Sequence, residues 1–211
     1  MKDIVLAGSG GLAKEIKWLI DECNKVEPRW NILGWISKEP KGTLVAGLPV
    51  LGDDDWVINY EKPIDVAICV GNGRIRKIIA EKYRKNINVS FPNIIAPDAT
   101  ISDSVHLGIG CIIAAKSVFT VDINVGNFMI CNYSCTVGHD CSFGDYVTLL
   151  PASHISGTVS LGECSSVGVG ANIIQGISIG ENTFIGAGAT VVRNIPSNCT
   201  AVGVPARPLE K

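Results

Sequence analysis

From Ile95 to Pro196 an apolar residue returns at every sixth position without an insertion, and these 102 residues divide into seventeen blocks of six. The leading residues run Ile95, Ile101, Leu107, Ile113 and onward to Ile185 and Val191, and all seventeen are apolar. Glycine follows directly in eight blocks, at Gly108, Gly126, Gly138, Gly144, Gly162, Gly168, Gly180 and Gly186. Four places on, small residues recur, among them Ala99, Cys111, Ser117, Cys135, Cys141, Ser153, Ala171 and Ala189. A period of six fits neither a lone helix nor a hairpin meander. It predicts a β-helix of short strands in triangular coils, about three blocks per coil and roughly six coils. One large side chain per block points inward and stacks on its equivalent in the next coil, and the terminal coils need caps. Glycine is expected where torsions are unusual or a coil turns tightly.

Before this repeat the pattern changes to that of an α/β unit. Asp3–Ala7 reads as a strand, Gly8-Ser9-Gly10-Gly11 as a loop, and Leu12, Ile16, Leu19, Ile20 and Cys23 as the apolar face of a helix. Gly8, Gly10 and Ala13 fit G-x-G-x-x-A, a loop whose N–H groups and helix N-terminus can meet phosphate oxygens. The readings are a phosphate-bearing substrate, an ordinary tight turn, or a nicotinamide cofactor. The last expects an acid after the second strand, where Trp30–Ile36 instead runs into Ser37-Lys38. Leu48–Gly52 predicts an extended piece, and Asp53-Asp54-Asp55 a solvated cap before a helix. Ile64–Val70 reads as a buried parallel strand, ending at Gly71-Asn72-Gly73 and a basic helix. Asn72 and Arg76 are expected on the same rim as Gly8–Gly10, beyond the carboxyl ends of the strands. The boundary is placed near residue 94: an α/β Rossmann-like domain over 1–93 and an all-β parallel β-helix over 94–211.

The chain of 211 residues is 46% apolar, enough for two modest cores, and its formal charge of −2 argues against a nucleic-acid surface. No charged-then-apolar leader precedes Ile4, and no apolar run approaches about 18 residues, so neither a secretion signal nor a membrane span is expected. Four of the eight cysteines, Cys111, Cys131, Cys135 and Cys141, fall at inward positions, which suits reduced thiols and a cytoplasmic protein.

One block carries candidate chemistry: Val137-Gly138-His139-Asp140-Cys141-Ser142. His139 and Asp140 fall at a corner, where an imidazole has no packing purpose, and the carboxylate can orient the ring and raise its basicity. The alternative is a surface ion pair. One block earlier Asn132 can position a substrate group. His106 and His154 suit surface or hydrogen-bonded roles. No metal is expected: the three histidines are 33 and 15 residues apart, and Cys135 and Cys141 point inward.

Taken together, Gly8–Gly11, Gly71-Asn72-Gly73-Arg74-Ile75-Arg76-Lys77, Asn132, Gly138-His139-Asp140-Cys141 with Gly144-Asp145-Tyr146, the glycine-rich blocks after Val159, and Val202-Gly203-Val204-Pro205-Ala206-Arg207 resemble the NeuD family of sugar acyltransferases. Within it they are most similar to the enzymes that N-acetylate UDP-4-amino-4,6-dideoxy-GlcNAc on the route to bacillosamine. The resemblance implies a left-handed β-helix and an acetyl-CoA-dependent N-acetyltransferase. It also implies a homotrimer whose active sites lie between subunits. It makes His139 the general base, Asp140 its partner and Asn132 a substrate-orienting residue. Gly8, Ser9, Gly10, Gly11, Ser37, Lys38, Asn72 and Arg76 become the nucleotide-sugar site. Thr148, Gly157, Val169, Ala187, Arg193 and Arg207 become contacts of acetyl-CoA, the two arginines near its phosphates. Two positions depart from the family: Ser37-Lys38 stands where a pair of acids is common, and Thr148 where related enzymes carry a histidine.

Other readings stay open on the sequence. A GDP- or dTDP-linked 4-amino sugar, the hydroxyl of a sialic acid, or serine could receive the acetyl group, although serine needs no nucleotide-holding domain. A noncatalytic trimeric scaffold would share the fold.

Overall fold

In the computed structural model, which describes residues 1–210, the chain divides into two compact units, Met1–Pro97 and a second from Asp98 onward. The first is built on β1 (Lys2–Ala7), whose last four residues are buried. β1 pairs in parallel with β2 (Trp30–Ile36) on one side and β5 (Ile64–Ile68) on the other. The sheet order is β3-β4-β2-β1-β5-β6, with β3 (Leu44–Val45), β4 (Leu48–Gly52) and β6 (Val89–Ser90) completing it. β5 is buried at all five residues, as expected of a central parallel strand.

Helix α1 (Gly11–Val26) follows β1 and buries Ala13, Ile16, Leu19, Ile20 and Cys23. Helices α2 (Asp54–Ile58) and α3 (Gly73–Tyr83) both start on side-chain caps. Asp53 accepts from the Asp55 N–H at 3.1 Å, and Asn72 from the Ile75 N–H at 3.2 Å. The aspartate run is therefore a helix start, with Asp54 additionally taking bonds from Lys82 and from the Tyr83 hydroxyl at 2.8 and 2.7 Å.

The second unit is the expected prism. Its strands pair in parallel with a step of eighteen residues, three blocks, as in Ile113↔Cys131, Phe119↔Val137 and Val125↔Phe143. The leading residues fill its interior: Ile113, Cys131, Leu149, Val167 and Ile185 on one face are fully buried. All eight cysteines are free. Past the last coil, Thr200–Val202 continues one face in parallel with Phe184–Ile185. Arg207–Pro208 then folds back antiparallel on it and caps the edge.

The glycines do a different job from the one their spacing suggested. The eight second-position glycines are absent from the left-handed region; instead, a Cβ at Gly162 would meet the Glu181 nitrogen at 2.4 Å, and one at Gly126 the Asp145 nitrogen at 2.6 Å. They are there because successive coils approach too closely for a side chain. The left-handed torsion falls two places later, in every block from Gly110 to Gly188, and mostly on other residues: Phe128, Asp140, Tyr146 and Thr158 have φ between 55° and 61°. That conformation costs about 1–2 kcal/mol per residue outside glycine. Hydrogen bonds to the preceding coil hold it in place, as from Phe128 N–H to Ile109 O and Tyr146 N–H to Asn127 O, each 2.8 Å. The rings of Phe128 and Tyr146 add a stack, with centroids 5.4 Å apart.

Candidate active site

His139 and Asp140 sit at one bend of the prism, and the backbone pins both. The Asp140 N–H donates to Val121 O at 3.1 Å, and His139 O accepts from the Thr158 N–H at 2.7 Å. Asp140 is in the left-handed conformation, φ 58°. Its Oδ2 lies 2.7 Å from His139 Nδ1, so Nε2 is the nitrogen left to react. The two side chains are 50% and 60% exposed, so the pair is open to a ligand.

The imidazole leans over the next coil. A Cβ built on Gly157 would lie 2.5 Å from His139 Nε2 and 2.6 Å from Cε1. Only a residue without a side chain leaves this space to the ring. Gly157 is buried, and among the described residues its N–H makes no hydrogen bond. The eighteen-residue step continues this corner as Val121, His139, Gly157, Gln175 and Arg193, with Val121, Gln175 and Arg193 exposed. At about 4.8 Å per coil, Arg193 stands roughly 14 Å along the prism from His139.

Val169 and Ala187 lie on a different corner. The ladder Ala152 N–H to Tyr133 O, Gly170 N–H to Pro151 O and Gly188 N–H to Val169 O defines it, and Ala187 follows by the same step. Tyr133, 45% exposed, belongs to this corner too, and the eighteen-residue step alone would have flagged it. Asn132 and Thr148 occupy the face before that corner, both buried. The Asn132 amide donates to Leu149 O at 3.1 Å and so braces the next coil. Within one chain, then, Gly157 and Arg193 share the corner of His139, whereas Asn132, Thr148, Val169 and Ala187 do not. Arg207 is exposed in the terminal hairpin, with Nη1 on Ala206 O at 2.8 Å.

Of the remaining polar groups, His154 bonds Thr136 Oγ1 through Nδ1 at 2.9 Å. Cys135 and Cys141 are buried, and burial pushes the Cys141 thiol up. Among the described residues no cluster is arranged to hold a metal ion.

In the first unit the carboxyl ends of β1, β2 and β5 form one rim. Gly8 has φ 114°, and a Cβ there would be 3.1 Å from Cys69 O, so the chain geometry requires glycine. Gly10 and Gly11 face open space, with nothing within 4 Å of a built Cβ. No side chain caps α1, so its first-turn N–H groups are free of side-chain partners and point where an anion can sit. This is the crevice between β1 and β5, where the strand order reverses, the usual ligand position on an open parallel sheet. Ser37 and the exposed Lys38 and Asn72 border it.

Arg76 corrects an expectation. The sequence pattern puts it on the ligand rim, but it is 1% exposed and donates from Nη1 to Val70 O at 2.6 Å and Gly71 O at 3.0 Å. The guanidinium ties down the turn that follows β5, its Nη1 shared by two backbone carbonyls. The sequence also left Glu39 unassigned; Ser9 and Ser37 both donate to its carboxylate.

A braced imidazole whose open nitrogen overlies bare backbone, on a coiled prism, places the chain among the acyltransferases built on the left-handed β-helix. Residues 3–83 match the PglD N-terminal domain family. PerB from Caulobacter crescentus, solved in complex with CoA and GDP-perosamine, is 34% identical, with a TM-score of 0.92 over 100% of this chain and 98% of that one. The acetyltransferase domain of PglB from Neisseria gonorrhoeae is 32% identical, with a TM-score of 0.91 over 99% and 100%. A GDP-perosamine N-acetyltransferase from Escherichia coli O157:H7 is 31% identical over 101 residues, 48% of this chain and 45% of that relative, so the match spans about half of its length. The chain belongs to the NeuD-like family of sugar N-acetyltransferases.

Proposed function

We propose that the chain transfers the acetyl group of acetyl-CoA to the 4-amino group of a nucleotide-linked amino sugar, with a GDP-linked sugar as the first substrate to test. The relatives matched along the whole chain support the reaction class, and the GDP-perosamine bound to PerB favours guanosine over the uridine expected from the sequence. The observation that carries the reading is the imidazole of His139, oriented through Nδ1 by Asp140 and overhanging Gly157.

The glycine-loop rim recognises the nucleotide, and the His139 corner is where an amine meets the thioester. Bringing the two together supplies much of the rate. The neutral amine attacks the thioester carbon while His139 Nε2 accepts the amine proton, and Asp140 stabilises the imidazolium. The Gly157 N–H is the donor for the tetrahedral oxyanion. Collapse restores the carbonyl and breaks the C–S bond, and the imidazolium proton goes to the departing thiolate, leaving amide and CoA. Arg193 lies along the same corner, where CoA phosphates would need a cation. A site that also uses Val169 and Ala187 needs a second chain, because they stand on another corner; this supports a trimer with shared sites. Free thiols and substrates of this class fit the cytoplasm.

The test is release of CoA thiol from acetyl-CoA with GDP-, UDP- and dTDP-linked 4-amino sugars. His139→Ala should lower kcat by about two to four orders of magnitude with an unchanged melting temperature. Wild-type turnover by that variant removes the base assignment, and no turnover with any of the sugars removes the reaction.

A further inference from the structure

Three residues beyond β2, Glu39 is held by hydroxyls from two separate loops. Ser9 Oγ donates to its Oε1 and Oε2 at 2.9 and 3.0 Å, and Ser37 Oγ donates to Oε2. Glu39 is exposed, and among the described residues no basic side chain pairs with it. Fixing a solvated carboxylate this way gives up side-chain freedom for no packing and no charge neutralisation, so the fold itself has little use for the arrangement.

What the contacts achieve is placement. Ser9 belongs to the glycine loop, so the carboxylate stands immediately beside the N–H groups suited to a diphosphate. On parallel sheets with such a loop, an acid past the second strand accepts from the ribose 2′-hydroxyl of the nucleotide. Ser37 and Lys38, at the end of β2, have no carboxylate to offer; Glu39 brings one to that place. A carboxylate has about four acceptor sites, and with Ser37, Ser9 and a backbone N–H on it, room remains for one further donor. The Ser37 hydroxyl, a backbone bond and Ser9 also hold the Glu39 carboxyl below its ordinary range, which keeps it an acceptor at working pH.

We infer that Glu39 accepts a hydrogen bond from the 2′-hydroxyl of the nucleotide ribose, and so makes the chain selective for ribonucleotide-linked sugars over 2′-deoxyribonucleotide-linked ones. The inference rests on the nucleotide-sugar reading above and narrows it, setting dTDP-linked sugars apart from GDP- and UDP-linked ones.

The experiment is calorimetric binding of GDP and 2′-deoxy-GDP to the full chain, wild type, Glu39→Gln and Glu39→Ala. Glu39 is exposed, so both variants should melt as wild type does. Wild type should bind GDP about ten- to a hundredfold more tightly than 2′-deoxy-GDP, the range of one hydrogen bond to a charged group. In Glu39→Ala that ratio should fall to near one through weaker GDP binding alone, with Glu39→Gln, which keeps one acceptor oxygen, in between. A wild-type ratio near one, a ratio that survives in Glu39→Ala, or an equal loss for both nucleotides each overturns the assignment. GDP binding with any of these outcomes leaves the nucleotide-sugar reading standing. Failure of wild type to bind GDP, UDP or dTDP removes that reading, and the ribose contact with it.

Discussion

Replacing Gly157 by alanine puts a methyl group into the space of the His139 ring. The added carbon would lie 2.5, 2.6 and 2.9 Å from Nε2, Cε1 and Cδ2, whereas comfortable contact begins near 3.5 Å. The ring has to retreat by about 1 Å, and it can, since it is the outer end of a half-exposed side chain. A displacement of that size at a reacting group costs about a hundredfold in rate. Gly157 is outside the left-handed region, so the backbone accepts alanine, and the melting temperature should change by a few degrees at most. Gly162→Ala is the matched control: its methyl group meets backbone, the Glu181 nitrogen at 2.4 Å, and coils cannot part without losing hydrogen bonds. That variant should lose about 1–3 kcal/mol of stability. The assay is kcat with acetyl-CoA and the best amino-sugar nucleotide, beside thermal unfolding of the same preparations. In a double variant with His139→Ala, Gly157→Ala should add little, because both changes act through one imidazole. A Gly157→Ala enzyme with wild-type kcat, or one whose loss simply adds to that of His139→Ala, refutes the reasoning.

Arg76→Ala should act on stability rather than on substrate. Removing a buried guanidinium bonded to two carbonyls costs about 3 kcal/mol in denaturant melts, while KM for the nucleotide sugar in the folded protein stays near wild type. A large KM change with unaltered stability would restore the ligand role expected from the sequence. Asp54 gives a pH signature. Burial raises its pKa, but the bonds from Lys82 and Tyr83 outweigh that and hold it below the ordinary 3.8. A carboxyl with a depressed folded-state pKa stabilises fully above its unfolded value and loses that contribution as pH falls through the folded one. Acid melts should show wild type losing more stability than Asp54→Asn below about pH 4; parallel curves would remove Asp54 from the account.

The repeat made the prism legible because a six-residue block copies one environment seventeen times, so phase alone sorted inward from outward residues. His139 and Asp140 stood out for the same reason, as polar residues at a corner where nothing calls for them. The first unit was readable in its strands and helices, since apolar periodicity survives without knowledge of neighbours. Its rim was read less well. Arg76 follows a glycine turn on a basic helix, and sequence does not say whether a guanidinium turns toward solvent or toward backbone carbonyls.

Sequence by itself determined the period, the core and the corner imidazole, because each depends on a residue's place within its own block or element. Tertiary structure alone decided two things. Gly157 lies beneath the ring of a histidine eighteen residues away, and Ser9 grips a carboxylate thirty residues on. Each is a meeting of chain segments from different coils or loops, set by how closely backbones stack, and close approach leaves no mark on the order of residues.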